Sequence, residues 1–220
     1  MHFETIYTQE CWPSFTITLH RSVDGDSINL LLFEELYAAL AIANNNPDCR
    51  YIVLKVENDL FFTNTDFNDN VDLQEELNKK FCENYMALLK YFTSTDKIII
   101  TLLDGQVLAG GLGFAAVSDL VFSSEQTQFS ISETPWGLLP ASVMPFLIRR
   151  IGFQKAYYMS LTTQTIDANT AQKIGLVDEL TDDFSSSLQR LYTRLQRIHS
   201  ETISDLKKYF RRLWLESCDW

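Results

Sequence analysis

The sequence predicts an α/β layer architecture with a helical C-terminal part, and three observations carry that reading. Strand-like and helix-like apolar patterns alternate as far as Ile131. The run Lys97-Ile-Ile-Ile-Thr-Leu-Leu103 is a strong buried-strand pattern and leads directly into a glycine cluster. After Ser142 the chain reads mostly as helices.

Taken in order, Ser14 to Leu19 sets Phe15, Ile17 and Leu19 at alternate positions, as in a strand with one buried face. Asp24-Gly25-Asp26 supplies a turn. Leu30 to Ala43 carries Leu31, Leu32, Leu36, Ala39, Leu40 and Ala43 at helical spacing. Asn44-Asn45-Asn46-Pro47 ends that helix, because Pro cannot continue it and Asn tolerates turn conformations. Tyr51 to Val56 is a short, nearly continuous apolar run, expected to be covered on both faces as in a parallel sheet. Glu57 to Asp72 is rich in Asp, Asn and Thr and reads as a loop. A long amphipathic helix is expected over Leu73 to Phe92. The Lys97 to Leu103 strand runs through Asp104-Gly105 into Ala109-Gly110-Gly111-Leu112-Gly113, implying the order strand, glycine turn, helix. Short strands near Leu120 to Phe122 and Gln128 to Ile131 precede the loop from Pro135 to Pro140, and Ile174 to Asp178 interrupts the later helices.

The chain has 220 residues, 46% of them apolar and 21% charged, which fits a globular domain and excludes a disordered tail or a coiled rod. A formal charge of -11 argues against nucleic-acid binding, where affinity comes chiefly from Lys and Arg. Cys11, Cys49, Cys82 and Cys218 stand singly, with no CxxC pair and no nearby His, so neither a zinc site nor a disulfide framework is indicated. The start Met1-His2-Phe3-Glu4 lacks the basic and apolar regions of a signal peptide, and no apolar run approaches a bilayer span, so a cytoplasmic protein away from membranes is expected. The charge is uneven: residues 186 to 220 carry seven bases against four acids. An acidic partner would have to meet that region.

The glycine run Gly105 to Gly113 lacks the Gly-Lys-Ser/Thr ending of a phosphate loop and does not fit a dinucleotide fingerprint. Small residues opening a helix leave N–H groups without intrahelical acceptors, and a ligand carbonyl placed there would meet hydrogen bonds and the positive end of the helix dipole. That is half of an oxyanion hole; a tightly packed glycine turn is the other reading of the same residues.

The succession of Gly105 to Asp119, Gln128-Phe129-Ser130-Ile131-Ser132-Glu133, Gly137-Leu138-Leu139-Pro140 and Ala168 to Asp178 resembles the signatures of the crotonase (enoyl-CoA hydratase/isomerase) superfamily in order and spacing. The resemblance runs from about Phe15 to Glu179. It implies a fold of repeated ββα units (residues 1–183) with a helical C-terminal trimerisation region (residues 184–220), no cofactor and no metal, and an assembly of three or six chains.

It also implies a thioester carbonyl held between two main-chain N–H groups. The first falls on Thr65, in Phe61-Phe62-Thr63-Asn64-Thr65-Asp66, and the second on Gly110. Thr63 and Asn64 replace small residues of that motif. Of the two carboxylates of a typical hydratase, one maps onto Gly113 and is missing, and the other is kept as Glu133. A single carboxylate can still take the proton α to a thioester and return a proton to a leaving hydroxyl.

Within the superfamily, the segments Phe129 to Glu133, Gly137 to Ala141 and Pro145 to Met159, and the run Ala109 to Phe114, look like the dehydratase of polyketide β-branching cassettes. That enzyme converts a 3-hydroxy-3-methylglutaryl thioester on an acyl carrier protein to the 3-methylglutaconyl thioester. A double-bond isomerase, the paired decarboxylase and a catalytically silent binding protein on the same scaffold remain alternatives. Asp66 and Tyr85 are expected near the substrate, with Asp66 also readable as a turn residue and Tyr85 as a packing residue. Lys207 and Arg211, on one side of a helix with Lys208 and Arg212, are expected to meet the carrier, or else to form a solvated face. His2, His20 and His199 lie outside every motif, and Asp119 is expected to close a structural hydrogen bond.

Overall fold

The computed structural model of the chain describes residues 2–20, 29–56, 60–61, 71–134 and 138–217. Among them a unit recurs, made of one strand in a large sheet, one strand in a small sheet, and a helix. β3 (Tyr51–Val56), β4 (Leu60–Phe61) and α2 (Val71–Ser94) form one such unit; β5 (Ile98–Leu103), β6 (Gln106–Leu108) and α3 (Gly111–Val117) form the next. β7 (Leu120–Ser123) and β8 (Gln128–Ser130) repeat the strand pair. β1 (Ile6–Cys11), β2 (Ser14–Leu19) and α1 (Leu30–Asn45) precede them. The large sheet has the order β1-β2-β3-β5-β7-β10, parallel except for the β1/β2 hairpin, with β10 at Glu179–Leu180. The small sheet has the order β4-β6-β8-β9, with β9 (Ile166–Asp167) antiparallel to β8.

The continuous apolar strands have partners on both sides. In β5, Ile99 and Leu103 join the main core beneath α1, α2 and α3, whereas Ile98, Ile100 and Leu102 join a second cluster. Leu188, Leu191 and Leu195 of α7 (Phe184–Leu195) and Ile203 of α8 (Ser200–Ser217) cover that second cluster. β3 divides in the same way, with Ile52 and Leu54 toward the main core and Tyr51 and Val53 toward the C-terminal helices. Side chains that alternate faces explain why an unbroken apolar run is needed here.

α1 runs two residues past Ala43, to Asn45, and the Asn46 amide bonds back to the Ala43 carbonyl. β1 carries no periodic apolar signal in the sequence because it is an edge strand in which only Ile6 is buried. The expected turn at Asp24-Gly25-Asp26, the motif positions from Phe62 to Asp66 and the loop residues Pro135-Trp136-Gly137 lie outside the described residues.

Two polar anchors organise the rest. Arg150, in α4 (Met144–Ile151), donates to the carbonyls of Ser118 and Leu176 at 2.9 and 2.8 Å and pairs with Asp178, whose carboxylate also accepts the Val121 amide at 2.7 Å. The Ile174 to Asp178 segment is thereby fastened to the edge of the large sheet. Asp119 accepts the Ile99 amide at 2.7 Å, the structural bond expected of it.

Candidate active site

The small sheet positions the site. β4, β6 and β8 run parallel, with Leu60 and Phe61 opposite Gln106 and Val107, and Gln106, Val107 and Leu108 opposite Gln128, Phe129 and Ser130. The segments that follow β6 and β8 therefore leave from one end of the sheet, where ligands of parallel sheets are commonly held. Gly110 comes two residues after β6, and Glu133 three residues after β8. The Ala109 amide donates to the Ser130 carbonyl at 3.2 Å, which carries the pairing one step beyond the strands and sets the two segments side by side.

The glycine turn is under strain. Ala109 has φ +44°, a left-handed conformation that costs a residue with a Cβ about 1–3 kcal/mol and is kept only where surroundings enforce it. Directly after it, Gly110 caps α3, and its own amide belongs to the group that a helix start leaves without an intrahelical acceptor. The Gly110 carbonyl accepts the Gly113 amide at 2.9 Å and the Tyr85 hydroxyl.

Glu133 is half-buried, and this burial pushes its carboxyl up from the usual range; hydrogen bonds from its own amide and that of Ser132 oppose the shift. Its Oε2 is buried with no hydrogen-bond partner among the described residues. A carboxylate with an unsatisfied oxygen and a raised proton affinity is suited to take and return a proton. Its main-chain carbonyl accepts the Leu138 amide at 3.3 Å.

Of the residues singled out from sequence, the structure brings together Glu133, Gly110 and Tyr85. Thr65 and Asp66 lie outside the described residues. Tyr85 points inward from α2: it is 3% exposed, and the negative charge of Glu133 adds to burial in pushing its phenol well above the usual range. The relation of Tyr85 to Gly113 has no signal in the sequence, since the two are far apart in the chain and belong to different helices.

Lys207, expected to meet the carrier, is engaged within the fold: its ammonium donates to Asp119 at 2.6 Å and to the Lys97 carbonyl, so it fastens α8 to the sheet, and its side chain, 15% exposed, also lines the groove that Arg211 borders. Arg211 is exposed and borders a groove of about 660 Å³ between α8 and the α3–α4 region, together with Arg149, Phe210 and Trp214. Neither Glu133 nor Gly110 lines that groove. No helix among the described residues is long and apolar enough to cross a membrane.

Comparison with known proteins gives the family and the fold. A profile of the enoyl-CoA hydratase/isomerase family matches residues 15–214. Bacillaene synthase dehydratase PksH of Bacillus subtilis is 32% identical over 200 residues, which cover 90% of this chain and 76% of that one. The solved structure of PksH superposes with a TM-score of 0.85 at 30% identity, over 96% of this chain and 85% of that one. Enoyl-CoA hydratase ACTT6 of Alternaria alternata is 26% identical, over 87% of this chain and 60% of that protein.

Proposed function

Because the chain belongs to the enoyl-CoA hydratase/isomerase family and is a hydratase/dehydratase lyase acting on acyl thioesters, we propose that its reaction is the dehydration of a branched 3-hydroxyacyl thioester. The substrate we assign is 3-hydroxy-3-methylglutaryl carried on an acyl carrier protein, and the product is the 3-methylglutaconyl thioester. One observation carries the reading: among the described residues, Glu133 is the carboxylate beside the Gly110 turn, with its Oε2 buried, while position 113 is a glycine. The likeness to a polyketide dehydratase supports the choice of substrate.

In this reading the thioester oxygen sits between the amides of Gly110 and Thr65. The oxyanion donors stabilise the charge that develops as Glu133 takes a proton from C2, with the C2–H electron pair passing into the enolate. The enolate reforms the thioester carbonyl, the C2–C3 double bond forms, and the C3–O bond breaks. Glu133 delivers its proton to the departing hydroxyl, so that one water leaves and the carboxylate is restored. One group serves both steps.

Intact-mass analysis of the carrier loaded with 3-hydroxy-3-methylglutarate, before and after exposure to the enzyme, tests this. Loss of one water is expected. Loss of carbon dioxide would instead mark a decarboxylase. An unchanged mass, with migration of the double bond in an enoyl thioester, would mark an isomerase. No change with any thioester would mark a binding protein.

A further inference from the structure

Gly113 lies inside helix α3, where glycine costs about 1 kcal/mol relative to alanine, so its presence needs a local reason. A Cβ built there would collide with the Tyr85 hydroxyl, and would stand 3.0 Å from the ring carbon that bears it and 3.1 Å from Leu89 Cδ1. The ring cannot easily give way. It stacks on Phe33 at 5.4 Å and meets the edge of Phe114 at 5.7 Å, with Leu88 and Leu89 of its own helix fully buried nearby.

A buried phenol requires a hydrogen-bond partner, and Tyr85 donates to the Gly110 carbonyl. That carbonyl also takes the Gly113 amide, so two donors close the turn. The strained Ala109 immediately before it is held in place by this closure and by its own bond to Ser130.

We propose that Tyr85 is a positioning residue: its hydroxyl occupies the volume that a side chain at position 113 would need, and locks the Gly110 turn so that the Gly110 amide keeps its aim at the substrate carbonyl. Among the described residues, Glu133 is thereby left as the carboxylate beside the Gly110 turn. The proposal rests on the thioester reading above, but not on which acyl group is carried.

The test uses the whole chain with Tyr85→Phe, which keeps the ring and removes the hydroxyl. Two activities are followed, dehydration of the carrier-bound substrate and exchange of the α-hydrogens of a butyryl pantetheine thioester in deuterium oxide. Exchange needs Glu133 and the oxyanion donors but no leaving group. The variant is expected to melt within a few degrees of the parent, with kcat and the exchange rate falling together by about 10- to 100-fold and KM little changed. Gly113→Ala, which displaces the hydroxyl while keeping the phenol, should cause a similar loss. Combined with Tyr85→Phe it should add little, because both act on one contact.

A parent enzyme that exchanges but does not dehydrate would overturn the assigned substrate and leave the Tyr85 role standing. A parent that does neither would overturn both. Parent-level exchange in Tyr85→Phe, a loss that merely tracks unfolding, or losses that multiply in the double variant would overturn the Tyr85 role alone.

Discussion

Lys207 and Ile99 meet on one oxygen of Asp119: the ammonium lies 2.6 Å from Oδ2, and the Ile99 amide donates to the same atom at 2.7 Å. A C-terminal helix and the start of a central strand are therefore joined through one carboxylate. Asp119→Ala should lower stability by about 1–3 kcal/mol, since it strips a strand amide and a largely covered ammonium of their shared acceptor. Lys207→Met should cost less, because Asp119 keeps the Ile99 amide. Urea unfolding of both variants measures this, and equal losses would contradict the order. Lys207→Met should also leave KM for carrier-bound and free thioesters alike, because its charge serves the fold.

With Lys207 engaged internally, the part of the basic face left for an acidic carrier centres on Arg211 and Lys208. Lys208 sits 3.5 Å from Asp96 with both side chains more than half exposed, a pairing of little energetic weight. Arg211→Glu with Lys208→Glu should raise KM for the carrier-bound substrate several-fold and leave a small pantetheine thioester unaffected. The gap should close as salt rises, because a Debye length of about 8 Å at physiological ionic strength lets the local patch outweigh the distant negative charge. Equal effects on both substrates would show that α8 acts through the fold.

Glu133 sets the pH dependence. Burial raises its proton affinity, and the carboxylate form is the one that removes the α-proton, so the acidic limb of kcat/KM should lie above the usual carboxylate range. Glu133→Gln should fold and lose several orders of magnitude in kcat. The stability effect has the opposite sense. A carboxyl whose folded pKa exceeds its unfolded one favours the fold at low pH and loses that contribution as pH rises, so the Gln variant should melt above the parent at neutral pH and lose this advantage in acid. A Gln variant that melts lower at every pH would contradict the assignment.

Glu35 shows the reverse linkage. Burial alone would raise its carboxyl, but the Thr5 hydroxyl and the amides of Glu4, Thr5 and Ile6 outweigh that and hold it below the usual range. Its charged form therefore ties the N-terminal strand to α1, and that contribution is present above the unfolded-state pKa and lost as pH falls through the folded one. Glu35→Gln should destabilise by about 1–3 kcal/mol at neutral pH and by much less in acid. Thermal melts at both pH values decide it.

The elements legible in the sequence are those whose burial is periodic or complete. β5 and β3 declare themselves because their side chains meet a core on each face, and α1 because its buried face is apolar apart from Glu35. β1 stays hidden because an edge strand with only Ile6 buried needs no pattern. In the site, Glu133 and Gly110 stand in a local order that sequence retains. Tyr85 reaches the same glycine turn from another helix, and such a contact is set by packing alone. The availability of Lys207 was equally illegible: its helical spacing with Arg211 is correct, but its partner Asp119 lies at the start of a distant strand.

The C-terminal helices cover the sheet with one side and leave another unpartnered. Leu206, Phe210 and Leu213 form an i, i+4, i+7 stripe on α8 and are 56%, 63% and 42% exposed. Phe153, Tyr157 and Leu161, at i, i+4 and i+8 on α5 (Phe153–Thr162), are 64%, 52% and 64% exposed. Exposed apolar stripes of this kind mark interaction surfaces, and closed symmetric assembly is a common way to bury them. Together with the expectation from family resemblance, this leads us to propose a trimer or a pair of trimers. Light scattering should return three or six times the 25.4 kDa chain mass, and Phe210→Asp with Leu206→Ser should shift the species toward the monomer. A parent protein that scatters as a monomer would overturn the assembly. A parent trimer unmoved by the double substitution would place its contacts elsewhere, with the α5 stripe as the next surface to change.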